Sequence, residues 1–190
     1  VVESQDLTIS DREINIPGNG LDGVVDALNY LTASNKVNFG DNVPSFTDGT
    51  LNAAGKRVVV IGGGDTAMDC VRTAIRQGAK SVKCMYRRDR DNMPGSQREV
   101  KNAEEEGVIF EWLTTPQGFT SDSKNKNVVT LGVDDGPVKG VIGRKMRLGA
   151  PDATGRRVPE EIQNSDYNEP ADLVIKALGF EPEDLPTLWD

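Results

Sequence analysis

The feature that most constrains this chain is the run Val58-Val59-Val60-Ile61-Gly62-Gly63-Gly64-Asp65-Thr66-Ala67. An apolar β stretch stops at Gly62, and the residues after it can open a helix. Gly62, Gly64 and Ala67 fit the pattern G-x-G-x-x-G/A. In a dinucleotide-binding fold the first glycine permits a tight turn, and the second lets backbone approach a pyrophosphate. The small third residue lets the helix pack on the strand. The helix N-terminus then offers free N–H groups to phosphate.

The flanking pattern supports a βαβ unit. Residues 56–61 read as a buried strand in which Val58, Val59, Val60 and Ile61 are continuously apolar, as in a parallel strand covered on both faces. A helix over 65–77 with Ala67, Val71, Ala74 and Ile75 inward ends at Gly78, placed as its C′ residue. A second strand is expected over 81–86 and a third over 108–113. Between them Ser96 and Glu99 have capping-box spacing, with Ser96 as N-cap of a helix running to Glu106. Glu104, Glu105 and Glu106 oppose that helix dipole, at small cost if exposed.

A further helix is expected over 21–34, with Val24, Val25, Leu28 and Leu31 on one face. Residues 35–54 carry Gly, Pro, Asn and Asp and read as a linker. From Thr114 the texture changes to short β-like runs at 128–133, 138–148 and 157–162, punctuated by Gly, Asp and Pro. That suits an antiparallel meander inserted into the Rossmann-like unit. Residues 173–175 supply another buried strand, ending near Gly179. The expected class is therefore α/β, a Rossmann-like parallel βαβ core with an inserted antiparallel β meander.

Composition narrows the chemistry. The net charge of −8 argues against partners such as nucleic acid or an anionic membrane surface. No run is long and apolar enough for a membrane helix, and no signal peptide is visible. With no histidine among the 190 residues, no imidazole base or His-rich zinc site can be built. No catalytic side chain and no metal site is assigned, so any catalysis must come from a cofactor or from other side-chain types. Cys70 and Cys84 are too far apart for a C-x-x-C pair and read as buried structural thiols. Low cysteine use suits the cytoplasm.

The second strand ends Met85-Tyr86-Arg87-Arg88, and Arg87 follows Gly62 by 25 positions. NAD-binding members of this fold place a carboxylate near that point, whereas arginine suits a 2′-phosphate. Asp89 follows closely, but two guanidinium groups favour NADPH. Taken alone they could equally be solvated loop charges. Asp65 and Asp69 suit the helix dipole, and Asp65 could instead reach a ribose or the nicotinamide side. Arg98 is either a contributor to the phosphate pocket or a surface residue. Tyr86 and Trp112 read as core aromatics.

The stretch Gly62–Cys70, with Tyr86-Arg87-Arg88 and Met93-Pro94-Gly95, closely resembles the NADPH-binding domain of the glutamate synthase small (beta) subunit. Ile16-Pro17-Gly18 with Gly23-Val24, Glu99-Val100 with residues 103–107, and residues 171–180 extend the match. The glycine loop is shared with the wider thioredoxin-reductase-like flavoprotein group, and the domain is similar, less closely, to that of dihydropyrimidine dehydrogenase. The resemblance implies a fragment of a larger flavoprotein of FAD/NAD(P)-binding type. Residues 1–54 would be a hinge segment with one helix from the flanking FAD domain. Residues 55–180 would be the NADPH-binding domain, with 114–170 as the insertion, and 181–190 would exit toward the FAD domain.

The implied site is Gly62, Gly63, Gly64, Asp65 and Thr66 at the pyrophosphate, Arg87 and Arg88 at the 2′-phosphate, and Gly179 near the nicotinamide. Only NADPH belongs to this domain, because the glycine motifs that hold FAD and the cysteine clusters that ligate iron–sulfur centres are missing. Those cofactors are expected in the full-length parent, where hydride would pass from NADPH to FAD for glutamate synthesis. The implied partners are the FAD domain of the same chain and the glutamate synthase large subunit. The rivals are the NADPH domain of another FAD/iron–sulfur oxidoreductase, dihydropyrimidine dehydrogenase-like or ferredoxin-linked, and a non-catalytic NADPH-sensing module.

Overall fold

A computed structural model describes residues 14–122, 136–151 and 157–179. Five parallel strands form one sheet in the order β1-β9-β2-β3-β4. They are β1 (Val24–Asp26), β2 (Arg57–Ile61), β3 (Ser81–Tyr86), β4 (Ile109–Trp112) and β9 (Leu173–Lys176). The helices are α1 (Ala27–Asn38), α2 (Pro44–Thr47), α3 (Asp65–Arg76) and α4 (Gln97–Glu105). A second, antiparallel sheet is built from β5 (Thr114–Ser121), β6 (Val138–Pro151), β7 (Arg157–Glu161) and β8 (Tyr167–Pro170). β5 lies along one edge of β6, while β7 and β8 successively return along the other.

The unbroken apolar run in β2 follows from this layering. Val58 and Val60 join Ala67, Val71, Cys84 and Ile175 in a core under the helices. Val59 and Ile61 join Met85, Phe119, Val141 and Val174 in a second core under the antiparallel sheet. Side chains alternate across the strand, and both faces are covered, so every residue from Val58 to Ile61 is apolar. The fold is the expected α/β one, an antiparallel sheet set between β4 and β9 of a parallel βαβ core.

Several local expectations change. Residues 24–26 are a strand paired in parallel with β9, so the helix begins at Ala27 and reaches Asn38. Its inward residues are Ala27, Tyr30, Ala33 and Ser34, while Leu28 faces out. Tyr30 donates to Gln77 Oε1 at 3.0 Å, and the same oxygen accepts from the Ala53 N–H. Burial pushes the Tyr30 phenol well above its ordinary range. Residues 35–54 are thus not a bare linker, because they hold the end of α1, the turn α2 and fully buried Ala53.

Ser96 is the N-cap of α4, but its side chain makes no capping bond. Glu99 is drawn away to Arg72 of α3, which also holds Glu106 at 2.8 Å. The carboxylates opposing the dipole are paired: Glu104 with Arg90, Glu105 with Lys101 and Glu106 with Arg72 and Arg76. The strand expected over 128–133 and the tail 181–190 lie outside the described residues. Cys70 and Cys84 are free and buried. Burial pushes the Cys84 thiol up to about 12 and raises Cys70 further.

Asp172 ties β9 to β2. It accepts the Arg57 backbone N–H at 3.0 Å and both arms of the Arg57 guanidinium at 2.8 and 2.6 Å. Those bonds hold its carboxyl down at about 2, although burial opposes them. A depressed carboxyl stabilises the fold above its unfolded value near 3.9, and that contribution is lost as pH falls through the folded value. Chemical denaturation between pH 5 and pH 2 is expected to show an acid limb that flattens in Asp172→Asn. The effect is small because the pair is a third exposed.

Candidate nucleotide-binding site

The candidate site is a cleft of about 530 Å³ at the carboxyl ends of β2, β3 and β9. Ligands of open α/β sheets bind at such strand ends. It is lined by residues 62–64 and Thr66 after β2, by residues 85–88 at the end of β3, and by residues 177–179 after β9. Thr114, Thr115 and Pro116 of β5 add a wall from the antiparallel sheet, and Ile14 and Pro94 complete the lining.

The three glycines answer to different demands. Gly62 has φ +147°, and a Cβ there would lie 2.1 Å from the carbonyl oxygen of Ala177. It is required by the close approach of β2 to the end of β9, where Ala177 N–H donates to Ile61 O at 2.8 Å. A Cβ on Gly63 would strike the Tyr86 ring at 2.5 Å. Gly64 is the N-cap of α3 with an ordinary φ of −91°, and a Cβ there would meet nothing within 4 Å. Packing therefore explains the first two glycines but not the third. Gly64 leaves room at a helix start that no side chain caps, which is the space a pyrophosphate takes when it lies on main-chain N–H groups.

The loop before α4 braces this corner. Gly95 N–H donates to Gly63 O at 2.9 Å, and Ser96 N–H donates to Asp65 Oδ1 at 3.0 Å. Asp65 is thus turned to the loop and is not among the lining residues. Asp69 is exposed. The Tyr86 hydroxyl donates to Asn92 O at 3.1 Å, and its ring meets Trp112 edge-on at 6.5 Å. Both aromatics serve packing, Tyr86 buried and Trp112 partly so.

The charges around the cleft are uneven. In this acidic chain Arg57, Arg72, Arg76, Arg90, Arg144 and Arg147 are all paired with carboxylates. Arg87 and Arg88 line the cleft and make no ion pair among the described residues. The Nε of Arg88 is buried without a hydrogen-bond partner, a state that calls for an acceptor. Asp89 is spent on a local turn, accepting from the N–H and side chain of Asn92 at 3.0 and 2.7 Å. Arg98 is exposed and outside the lining.

The sequence matches the model of the pyridine nucleotide-disulphide oxidoreductase family over residues 9–186. The chain belongs to that family. It is 62% identical over 179 residues to a glutamate synthase (NADPH) small chain of Azospirillum brasilense, a match covering 94% of this chain and 34% of that protein. The chain thus spans about a third of the length of that relative. A mutant of FprA from Mycobacterium tuberculosis shares the fold with a TM-score of 0.68 at 18% identity, covering 93% of this chain and 49% of the other. Thioredoxin reductase from T. acidophilum superposes with a TM-score of 0.53 at 16% identity, covering 92% and 43%. No described helix of the chain is long and apolar enough to cross a membrane.

Of the expected site residues, Gly62, Gly63, Gly64, Thr66, Arg87, Arg88 and Gly179 share the cleft, and Asp65 stands behind it. The wall at residues 114–116 was not expected. The Thr-Thr-Pro run carries no motif, and only the fold brings it to the glycine corner.

The two outer glycines should separate under substitution. Gly62→Ala is expected to lower stability by at least ~2 kcal/mol, from a forced backbone shift. Gly64→Ala should leave the melting temperature almost unchanged while weakening pyridine nucleotide binding about tenfold or more, or ~1.4 kcal/mol. Thermal melts paired with nucleotide titration of both variants check this.

Proposed function

We propose that this domain binds NADPH and presents its nicotinamide to an FAD held elsewhere in a longer glutamate synthase small-chain-like oxidoreductase. The observation that carries the reading is a pair of arginines, without ion pairs among the described residues, beside a glycine corner with open space at Gly64. The main-chain N–H groups at the start of α3, with Thr66, hold the pyrophosphate. Arg87 and Arg88 hold the 2′-phosphate through charge-assisted bonds, and Gly179 borders the nicotinamide end. Asp65 acts indirectly, by fixing the loop at Ser96 against the corner.

When bound, the nicotinamide supplies a hydride, and the protein supplies position and electrostatics. Burial keeps the thiols of Cys70 and Cys84 protonated, so neither is poised to attack a disulfide. The relative's name supports NADPH as the nucleotide and glutamate synthesis as the outcome. In that setting the partners are the FAD domain of the same chain and a glutamate synthase large subunit, with iron–sulfur centres carrying electrons between them in the cytoplasm.

Calorimetric titration of the chain with NADPH and NADH tests the assignment. NADPH should bind more tightly, and Arg87→Glu should remove most of that preference, a loss of roughly 1.5–3 kcal/mol for a charged hydrogen bond. Equal affinity for the two nucleotides in the unsubstituted chain would overturn the NADPH assignment.

A further inference from the structure

We propose that Glu111 is a positioning residue for this cleft, its carboxylate locking the corner at residues 113–116 and, through it, the backbone of Arg88. The inference rests on the NADPH reading above. Glu111 sits on β4, outside the cleft lining, on the face turned to the antiparallel sheet. Its two oxygens are shared between elements of both sheets. Oε1 accepts from Lys83 Nζ of β3 at 3.3 Å, and Oε2 accepts from Lys145 Nζ of β6 at 3.3 Å. The Tyr167 hydroxyl of β8 reaches Oε2 at 3.4 Å, and Lys145 lies over the Tyr167 ring at 4.7 Å.

The cleft wall hangs from this cluster. Lys145 Nζ also donates to Thr114 Oγ1 at 3.2 Å, and that hydroxyl donates to Trp112 O at 3.1 Å. Between them Leu113 takes a left-handed backbone, φ 52°, which a branched L-residue adopts only when its surroundings enforce it. Its N–H donates to Arg88 O at 3.0 Å, and its carbonyl accepts from Met146 N–H at 2.7 Å. The strained corner is therefore the piece that connects the Glu111 cluster to the arginine end of β3. A cluster of this kind holds geometry well only while every member is satisfied. Burial pushes the Glu111 carboxyl up, but the bonds and charges of Lys145 and Lys83 outweigh it and leave it below its ordinary value.

Replacing Glu111 by glutamine keeps the shape but removes the charge the two ammonium groups share; Lys83 keeps Glu169 at 2.8 Å, so the loss falls on Lys145. The corner then loses its anchor on one side. Simple electrostatics predicts the opposite outcome, because removing a negative charge near the cleft should strengthen binding of a more highly charged nucleotide. The sign of the effect thus separates positioning from charge.

The test is calorimetric titration of the chain and of its Glu111→Gln and Glu111→Asp variants with NADPH and with NADH, alongside thermal melts. NADPH affinity should fall about fivefold or more in Glu111→Gln, with NADH affinity changed less than about twofold. Glu111→Asp keeps the charge but is too short to span both ammonium groups, and should lie between. It carries the test alone if the glutamine variant does not fold. NADPH affinity unchanged or raised in the variants, with the parent chain still preferring NADPH, overturns the role of Glu111 and leaves the NADPH reading standing. A parent chain with no preference overturns both.

Discussion

The contact on which the site depends is the meeting of two strand ends. β2 and β9 run side by side, and where both finish, the Gly62 backbone comes so close to Ala177 that no side chain fits between. That approach forces the chain to turn sharply, and the turn delivers the start of α3 to the strand ends. Tyr86 closes the underside of the turn against Gly63, and Gly95 fastens it from above. The rigid part of the corner is thus built by packing, while Gly64 keeps the ligand side open. A fold that builds a tight main-chain cradle with one glycine left over is equipped to hold a pyrophosphate.

In the proposed reading, charge then selects what enters. A chain of net charge −8 repels anions at long range, so an anionic nucleotide needs local cations with nothing else to neutralise them. The arginines that brace the fold are consumed by carboxylates. Among the described residues Arg87 and Arg88 are left for the cleft, and the neighbouring carboxylate of Asp89 is folded into its own turn. The antiparallel sheet contributes in a less direct way. It covers one face of the parallel sheet, sends Thr114, Thr115 and Pro116 to the cleft, and holds the strained Leu113 corner against Arg88.

Much of this was legible in the sequence because it rests on local rules. The run from Val58 to Ile61, the glycine turn, the amphipathic α3 ending before Gly78 and the arginines closing β3 each declare themselves within a short window. What was misread depends on distant partners. Val24 and Val25 fit helical spacing, and only pairing with β9 makes residues 24–26 a strand. Thr114–Ser121 falls in the expected antiparallel insertion but outside its short β-like runs, because it contains proline and glycine, yet β6 pairs with it over most of its length. The capping box at Ser96 failed because Arg72, far off in sequence, competes for Glu99. The resemblance implies Asp65 at the pyrophosphate, and what the short window does not display is that one of its oxygens accepts from the distant Ser96 N–H. Gly179 and the arginines reached the same cleft by topology, which chain order alone does not display.

The most direct measurement is a crystal structure of the chain with NADP⁺ bound. The account predicts the pyrophosphate against the main-chain N–H groups at residues 64–66, and the 2′-phosphate within about 3 Å of the Arg87 and Arg88 guanidinium groups. A nucleotide bound elsewhere, or one whose 2′-phosphate points into solvent away from both arginines, would contradict it.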